Sequence, residues 1–274
     1  MSVNHDVPGI AVFGKGQASY TLPCGYVDEN GKVHNEIIMR EMTGVEEDVM
    51  DDDNLSVTDR ITKILSLCCV KLGDIDDAEI IKKAVGDTLE RGLPLSAADR
   101  VAMLLFLRRT SVGDVYKFER KCPYCGHLNR NRTLNLERDV VISQVTSPGK
   151  RRVKVTLPSG KIAMLKVLSA SGEKQISTLK PTQKDVRTLA ILARLVELDG
   201  QKMTPFHIDL IKSLSIADRN YIREVYNFIE GAVDTDVEVD CSSCNTTFEF
   251  PLDLGQVFFS NRAKKVTAAD LEWL

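Results

Sequence analysis

Hydrophobic and polar positions along the chain switch between two periods. In "RRVKVTLPSGKIAMLKVLS", residues 151–169, Val153 and Val155 alternate with charged neighbours, and Pro158-Ser159-Gly160 supplies turn residues. That pattern predicts a strand, a tight turn and a second strand. An earlier stretch repeats the scheme with a longer loop: "YTLPCG" (20–25) opens it, "PCGYVDENGK" forms the loop, and "EIIMREMT" (36–43) follows. Helical spacing then takes over. In "VTDRITKILSLCCVKLGD" (57–74), Ile61, Ile64, Leu65, Cys68 and Leu72 fall on one face of a helix. "QKDVRTLAILARLVELDG" (183–200) is read as its counterpart. A further helix is expected in "LSAADRVAMLLFLRRTSVG" (95–113), where Val101, Leu104, Leu105 and Arg108 show the period. Ser96 is a natural N-cap with Asp99 three residues on, and Gly113 suits the end. Ser215, Asp218 and Gly231 repeat that arrangement. Finally "DVYKFERKC" (114–122) and "TDVEVDC" (235–241) alternate as strands, each running into a cysteine.

The matches have a common offset. Cys122 and Cys125 return as Cys241 and Cys244, 119 positions later, and "LSAADRVAM" (95–103) lies over "LSIADRNYI" (214–222) at the same shift. "LNL" (134–136) falls one residue out of register with "LDL" (252–254), and "YTLPCG" resembles "VTLPSG" (155–160) at a shift of 135. Landmarks in one order predict two diverged copies of a single unit. The expected fold class is therefore α+β: two hairpin–helices–knuckle units in a pseudo-two-fold arrangement, joined by a four-cysteine zinc ribbon. We divide the chain into a mobile N-terminal arm (1–19), repeat 1 (20–147), repeat 2 (148–259) and a C-terminal tail (260–274).

Each CxxC pair is half of a metal site. A knuckle bends its backbone so that N–H groups point at thiolate sulfur, and the residue after the second cysteine needs a positive φ. Gly126 meets that need without strain, and Asn245 is the commonest alternative to glycine. Structural zinc takes four ligands, so Cys122, Cys125, Cys241 and Cys244 around one Zn²⁺ is the economical solution. Such a site clamps the two copies together and leaves no open coordination position for catalysis. His127 is expected to be exposed and not to serve as a ligand. Cys68 is read as core packing, and Cys24 as a loop thiol without a partner. A thioredoxin-like redox role is disfavoured, because those motifs start a helix after a strand, whereas these turns sit between strands.

Composition narrows the function. The chain has 274 residues, 43% hydrophobic and 27% charged, with a net charge of −3. No apolar run approaches the ~18 residues of a membrane span, and the N-terminus lacks the pattern of a signal peptide. We therefore expect a reducing cytoplasm, no membrane partner, and cysteines that serve as ligands or core residues. "GIAVFGKG" (9–16) has the outline of a phosphate loop but ends in Gly16 where Ser or Thr would meet Mg²⁺. The first knuckle is basic (Lys117, Arg120, Lys121, Arg130, Arg132). The second is acidic, with Asp234, Asp236, Glu238, Asp240, Glu249 and Asp253. Side by side, the acidic strands cancel the basic field, so we read the charges as serving internal pairing and not nucleic acid. The four histidines, His5, His34, His127 and His207, form no recognisable catalytic constellation.

The block "LPLSAADRVAMLLFLRRTSVGDVYKFERKCPYCGHLN" resembles the T4-type baseplate proteins of tailed bacteriophages, the baseplate hub and tail assembly group. Asp99, Arg100, Arg108, Gly113, Cys122, Pro123 and Cys125 carry the resemblance. The second copy departs from it, with "CSSC" for "CPYC" and Asn227 in place of Arg108. The resemblance implies a non-enzymatic protein that works through contacts with other phage baseplate or tail hub proteins, without a small-molecule substrate. It would act in the host cytoplasm during assembly or enter the virion baseplate. A zinc-ribbon nucleic-acid-binding or transcription-accessory protein is the alternative. In the tail, Leu271, Trp273 and Leu274 would suit either a partner anchor or a return onto the chain's own surface.

Overall fold

The computed structural model describes residues 16–178, 186–252, 254 and 256–259. The expected N-terminal arm lies outside them except for residues 16–19, as does the whole of the C-terminal tail.

The first half opens with a hairpin of β1 (Gln17–Val27) and β2 (Val33–Arg40). Helices α1 (Gly44–Met50) and α2 (Val57–Cys68) follow, and β3 (Cys69–Leu72) returns to pair antiparallel with β2. Next come α3 (Ala78–Gly86) and the long α4 (Ala97–Val112). The first knuckle hairpin is β4 (Val115–Lys121) and β5 (Leu128–Asn135), succeeded by α5 (Leu136–Asp139) and β6 (Ile142–Ser143). The second half opens with β7 (Arg152–Thr156) and β8 (Ile162–Lys166), then α6 (Ala170–Thr178) and α7 (Val186–Leu192). Strand β9 (Leu195–Leu198) pairs with β8, and β10 (Gln201–Lys202) with β9. After a 3-10 turn at Pro205–His207 come α8 (Ile208–Lys212), the long α9 (Ile216–Glu230) and β11 (Ala232–Val233). The second knuckle hairpin is β12 (Asp236–Asp240) and β13 (Thr247–Pro251), and α10 (Gln256–Phe259) closes the described chain. The architecture is mixed α+β, and both halves run hairpin, helices, third strand, long helix, knuckle hairpin.

Two cores follow the two halves. In the first, Leu22, Ile37 and Met39 of the sheet meet Leu65 of α2 and Met103 and Leu107 of α4. In the second, Ala163 and Leu165 meet Ile191, Ile211 and Ile222. Several contacts between the halves are polar and specific. Strand β6 pairs with β11. Buried Arg100 of α4 makes a 2.8 Å ion pair with Glu173 of α6, and Ala97 N–H donates to the Leu168 carbonyl at 2.8 Å. Within the second half Glu230, at the end of α9, accepts from Arg194 at 2.7 and 2.8 Å and from the Leu168 amide at 2.9 Å.

Three local expectations need correcting. The helical face drawn through Leu72 is wrong, because α2 stops at Cys68 and residues 69–72 are strand. The counterpart stretch likewise divides into α7 and β9. Each sheet needs a third strand beside its hairpin, and a four-residue segment buried at both ends supplies one. The loop expected from Pro23 onward is strand as well. Strand β1 continues to Val27 through a register shift between Thr21 and Tyr26. Cys24 is therefore no loop thiol without a partner. It is 1% exposed, its Sγ contacts the Glu230 carbonyl oxygen at 3.0 Å, and burial pushes its pKa up to about 11.

The bulge in β1 is held by a helix cap. Asp99, fully buried, accepts from the Ser96 amide and hydroxyl at 2.8 Å each, closing the capping box of α4. Its other oxygen accepts from the Cys24 and Gly25 amides at 2.7 and 3.0 Å, replacing ladder partners that the bulge removes. The second half repeats the device. Asp218, at N3 of α9, accepts from the Ser159 amide of the "LPSG" turn at 3.0 Å. Burial would raise the Asp218 pKa, but Ser159 and Ser215 outweigh it and hold the carboxyl below its usual range. This contribution is complete above the unfolded carboxylate pKa and is lost as pH falls through the lower folded value. Asp99→Ala strands four donors, two of them main-chain N–H groups of the bulge. It should lower the unfolding free energy by about 3 kcal/mol or more, and Asp218→Ala by about 1–2 kcal/mol. Urea midpoints read both, and equal effects would contradict the bond count.

Candidate metal centre

The two knuckles are built alike. In the first, the Cys122 amide donates to the His127 carbonyl at 2.8 Å and the Gly126 amide to the Cys122 carbonyl at 3.0 Å. In the second, the Cys241 amide donates to Thr246 at 3.1 Å and the Asn245 amide to Cys241 at 2.9 Å. Gly126 has φ +74° and Asn245 +54°, the left-handed turn that both positions require.

Packing brings the knuckles together. Phe118 of β4 meets Phe250 of β13 with ring centroids 4.8 Å apart, and Tyr116, Leu134, Val237, Val239 and Phe248 complete an apolar layer between the hairpins. The backbones do not pair, and each hairpin remains a separate two-stranded sheet. Nor do the opposite charges form ion pairs between the hairpins among the described residues. Arg120 stacks over the Phe250 ring, 5.0 Å from its centroid, and Arg132 donates to the Asp240 carbonyl at 3.3 Å. The expected charge pairing is thus replaced by apolar packing, with charges along the rims.

At the tip of this layer the four cysteine sulfurs lie within 4.8 Å of one another. Cys122 Sγ is 3.8 Å from Cys244 Sγ, and Cys125 Sγ is 3.6 Å from Cys241 Sγ. Sulfurs on a tetrahedron around an ion at ~2.3 Å are about 3.8 Å apart. The cluster therefore has the size of a four-thiolate site and could hold a metal ion. All seven cysteines are free thiols. Cys122 and Cys241 are buried, while Cys125 and Cys244 face outward. The main-chain N–H groups around the second knuckle, led by that of Cys244, lower the Cys241 thiol to about 6. The Cys244 thiol is lowered too, chiefly by Thr246. At Cys125 the His127 backbone pulls the same way, but desolvation and the three neighbouring sulfurs outweigh it and push the thiol up to about 11. Four sulfurs this close do not all ionise without a cation between them, which is the electrostatic reason the cluster suits one. His127 is exposed and lies outside the cluster.

One residue of the joint escaped the sequence reading. Asn129 of β5 is fully buried and crosses to the second knuckle. Its Oδ1 accepts from the Ser242 amide at 2.8 Å and hydroxyl at 3.0 Å, and its Nδ2 lies 3.7 Å from Cys241 Sγ. At the 119-residue offset its counterpart is Phe248, so no repeated motif marks it.

Fold and site together describe a joint between the two halves whose four sulfurs could hold a metal ion and would leave it no open position. A family model described as "T4 bacteriophage base plate protein" matches residues 63–260, which span α4, both knuckles and the whole second half. The chain belongs to that family of phage baseplate proteins. No curated protein matches the chain, and no solved structure does. Membership gives it a structural role in the baseplate and argues against an enzymatic one. No helix of the described residues is long and apolar enough to cross a membrane.

Asn129→Ala should cost about 1 kcal/mol or more, because it removes the buried acceptor that the Ser242 amide and hydroxyl share. A denaturant titration checks this, and Ser242→Ala should recover little when added to it. Full additivity of the two would mean that the bond carries no coupling.

Proposed function

We propose that the chain is a zinc-stabilised protein of the phage baseplate hub or tail assembly, working through contacts with other baseplate proteins. The observation that carries this reading is the meeting of four cysteine sulfurs, two from each half, within 4.8 Å in a chain of the baseplate family. Four thiolates with no oxygen or nitrogen donor favour Zn²⁺ over harder cations. The proposed ligands are Cys122, Cys125, Cys241 and Cys244, with the ion in a structural part.

We further read the halves as diverged copies of one unit, repeat 1 over 20–147 and repeat 2 over 148–259, in a pseudo-two-fold arrangement. Support comes from the common order of elements and from Asp99 and Asp218, which cap the long helices and hold the "LPCG" and "LPSG" segments alike. On this reading the chain folds in the host cytoplasm and joins the tail baseplate. Nucleic acid is a poor partner, because the basic strand β5 lies beside the acidic strand β12.

Metal analysis of the purified chain should find one zinc per molecule, and the Cys122→Ser/Cys241→Ser double variant should find none. For free zinc at 1,000 times its Kd, stripping the ion with a chelator should lower stability by about 4 kcal/mol. A metal-free, fully stable chain would sink the zinc part. Mass spectrometry of purified tails should detect the chain in baseplates; its absence there would sink a resident role.

A further inference from the structure

A cleft of about 630 Å³ separates the knuckle hairpins below the cysteine cluster. Its walls are strand edges. Every residue of β12 from Asp236 to Asp240 lines it, as do the consecutive Arg132, Thr133 and Leu134 of β5. Successive side chains of a strand point to opposite faces, so a run of neighbours along one wall means that the strand's edge borders the space. Among the described residues both strands have a partner on one side only, β12 with β13 and β5 with β4.

The register shows which backbone groups look into the cleft. Cys241 N–H bonds Thr246 and Leu252 N–H bonds Thr235, so the odd-numbered residues of β12 face β13. By the alternation of an antiparallel ladder, the N–H and C=O of Glu238 face away, into the cleft. The Arg132 bond to the Asp240 carbonyl agrees with this. On the other wall, Leu136 N–H bonds Asp114, so the even-numbered residues face β4 and the N–H and C=O of Thr133 face the cleft. The Arg132 side chain reaches across the gap to the Asp240 carbonyl, and an added strand would bond an open edge at the usual ~4.8 Å spacing.

Charge says what the strand carries. Six carboxylates line the cleft against two arginines, and one arginine, Arg138, is already paired with Asp139 at 2.6 Å. The acids of β12 lie on its exposed face, whereas Val237 and Val239 turn to the apolar layer. We infer that this cleft takes an extended segment of a partner protein as an inserted strand, with basic side chains alternating with apolar ones. The inserted backbone bonds the open edges of Glu238 and Thr133. Its basic residues stand beside Asp236, Glu238 and Glu249, and its apolar residues face Leu134, Val237 and Val239. This rests on the baseplate reading and names the chemistry of a contact within it.

The test uses the full chain and a blocked octapeptide of alternating lysine and valine. Titration by calorimetry should show saturable binding that weakens as salt rises, and amide exchange at Glu238 and Thr133 should slow in the complex. Asp236→Lys/Glu238→Lys, with an unchanged unfolding midpoint, should weaken binding about tenfold or more. A peptide with alternate backbone nitrogens methylated keeps every charge and should not bind. Equal binding of the methylated peptide would reduce the site to plain charge attraction and overturn the inserted strand. So would unchanged affinity in the variant, or slow exchange at both amides in the chain alone, which would mean that the edges are already covered. The composition of purified tails decides the baseplate reading independently, so failure of one does not imply failure of the other.

Discussion

A two-stranded hairpin is marginal in water, and this chain depends on two of them. Among the described residues neither β4–β5 nor β12–β13 gains a third strand from its own half. Each is stable because the other covers its apolar face, through Phe118 against Phe250 and the valines and leucine around them. The meeting of the cysteine sulfurs at the tip is a consequence of that face-to-face packing, and Asn129 fixes its register. At the base, Leu105 of α4 and Phe258 of α10 join the same layer, so the pair of hairpins is rooted in the first half.

The layer also organises the buried charge beneath it. Arg108 is 3% exposed and makes no direct ion pair among the described residues; it donates to the carbonyls of Phe258, Gly113 and Val115. Those carbonyls belong to the end of α4, the start of β4 and the closing helix α10. One side chain thus ties three segments where they converge, and desolvation lowers its pKa, outweighing the opposing pull of Tyr116 and Asp114. The second copy has Asn227 at that offset, on the last turn of α9.

Much of the site was legible because its requirements are local. CxxC spacing, a positive φ at Gly126 and Asn245, and serine caps with an acid at N3 are each settled within a few residues. What could not be read depends on contacts distant in sequence. Leu72 and Leu198 keep helical spacing, yet both sit in strands, because a hairpin edge lies waiting for them. Cys24 looked like a loop thiol because the carboxylate that fixes its amide lies 75 residues away. Asn129 lies in a polar strand where nothing distinguishes it from Asn131, and only its burial against the opposite knuckle gives it a task.

The knuckle junction also sets how the molecule would bear load. The chain leaves the first knuckle at Cys125 and comes back to the second at Cys241, with the two sulfurs 3.6 Å apart. All of residues 126–240 is therefore a detour that begins and ends at one point. With an ion holding the four sulfurs, as proposed, tension applied between the segment before Cys122 and the segment after Cys244 would cross the hairpin joint in place of the chain between them.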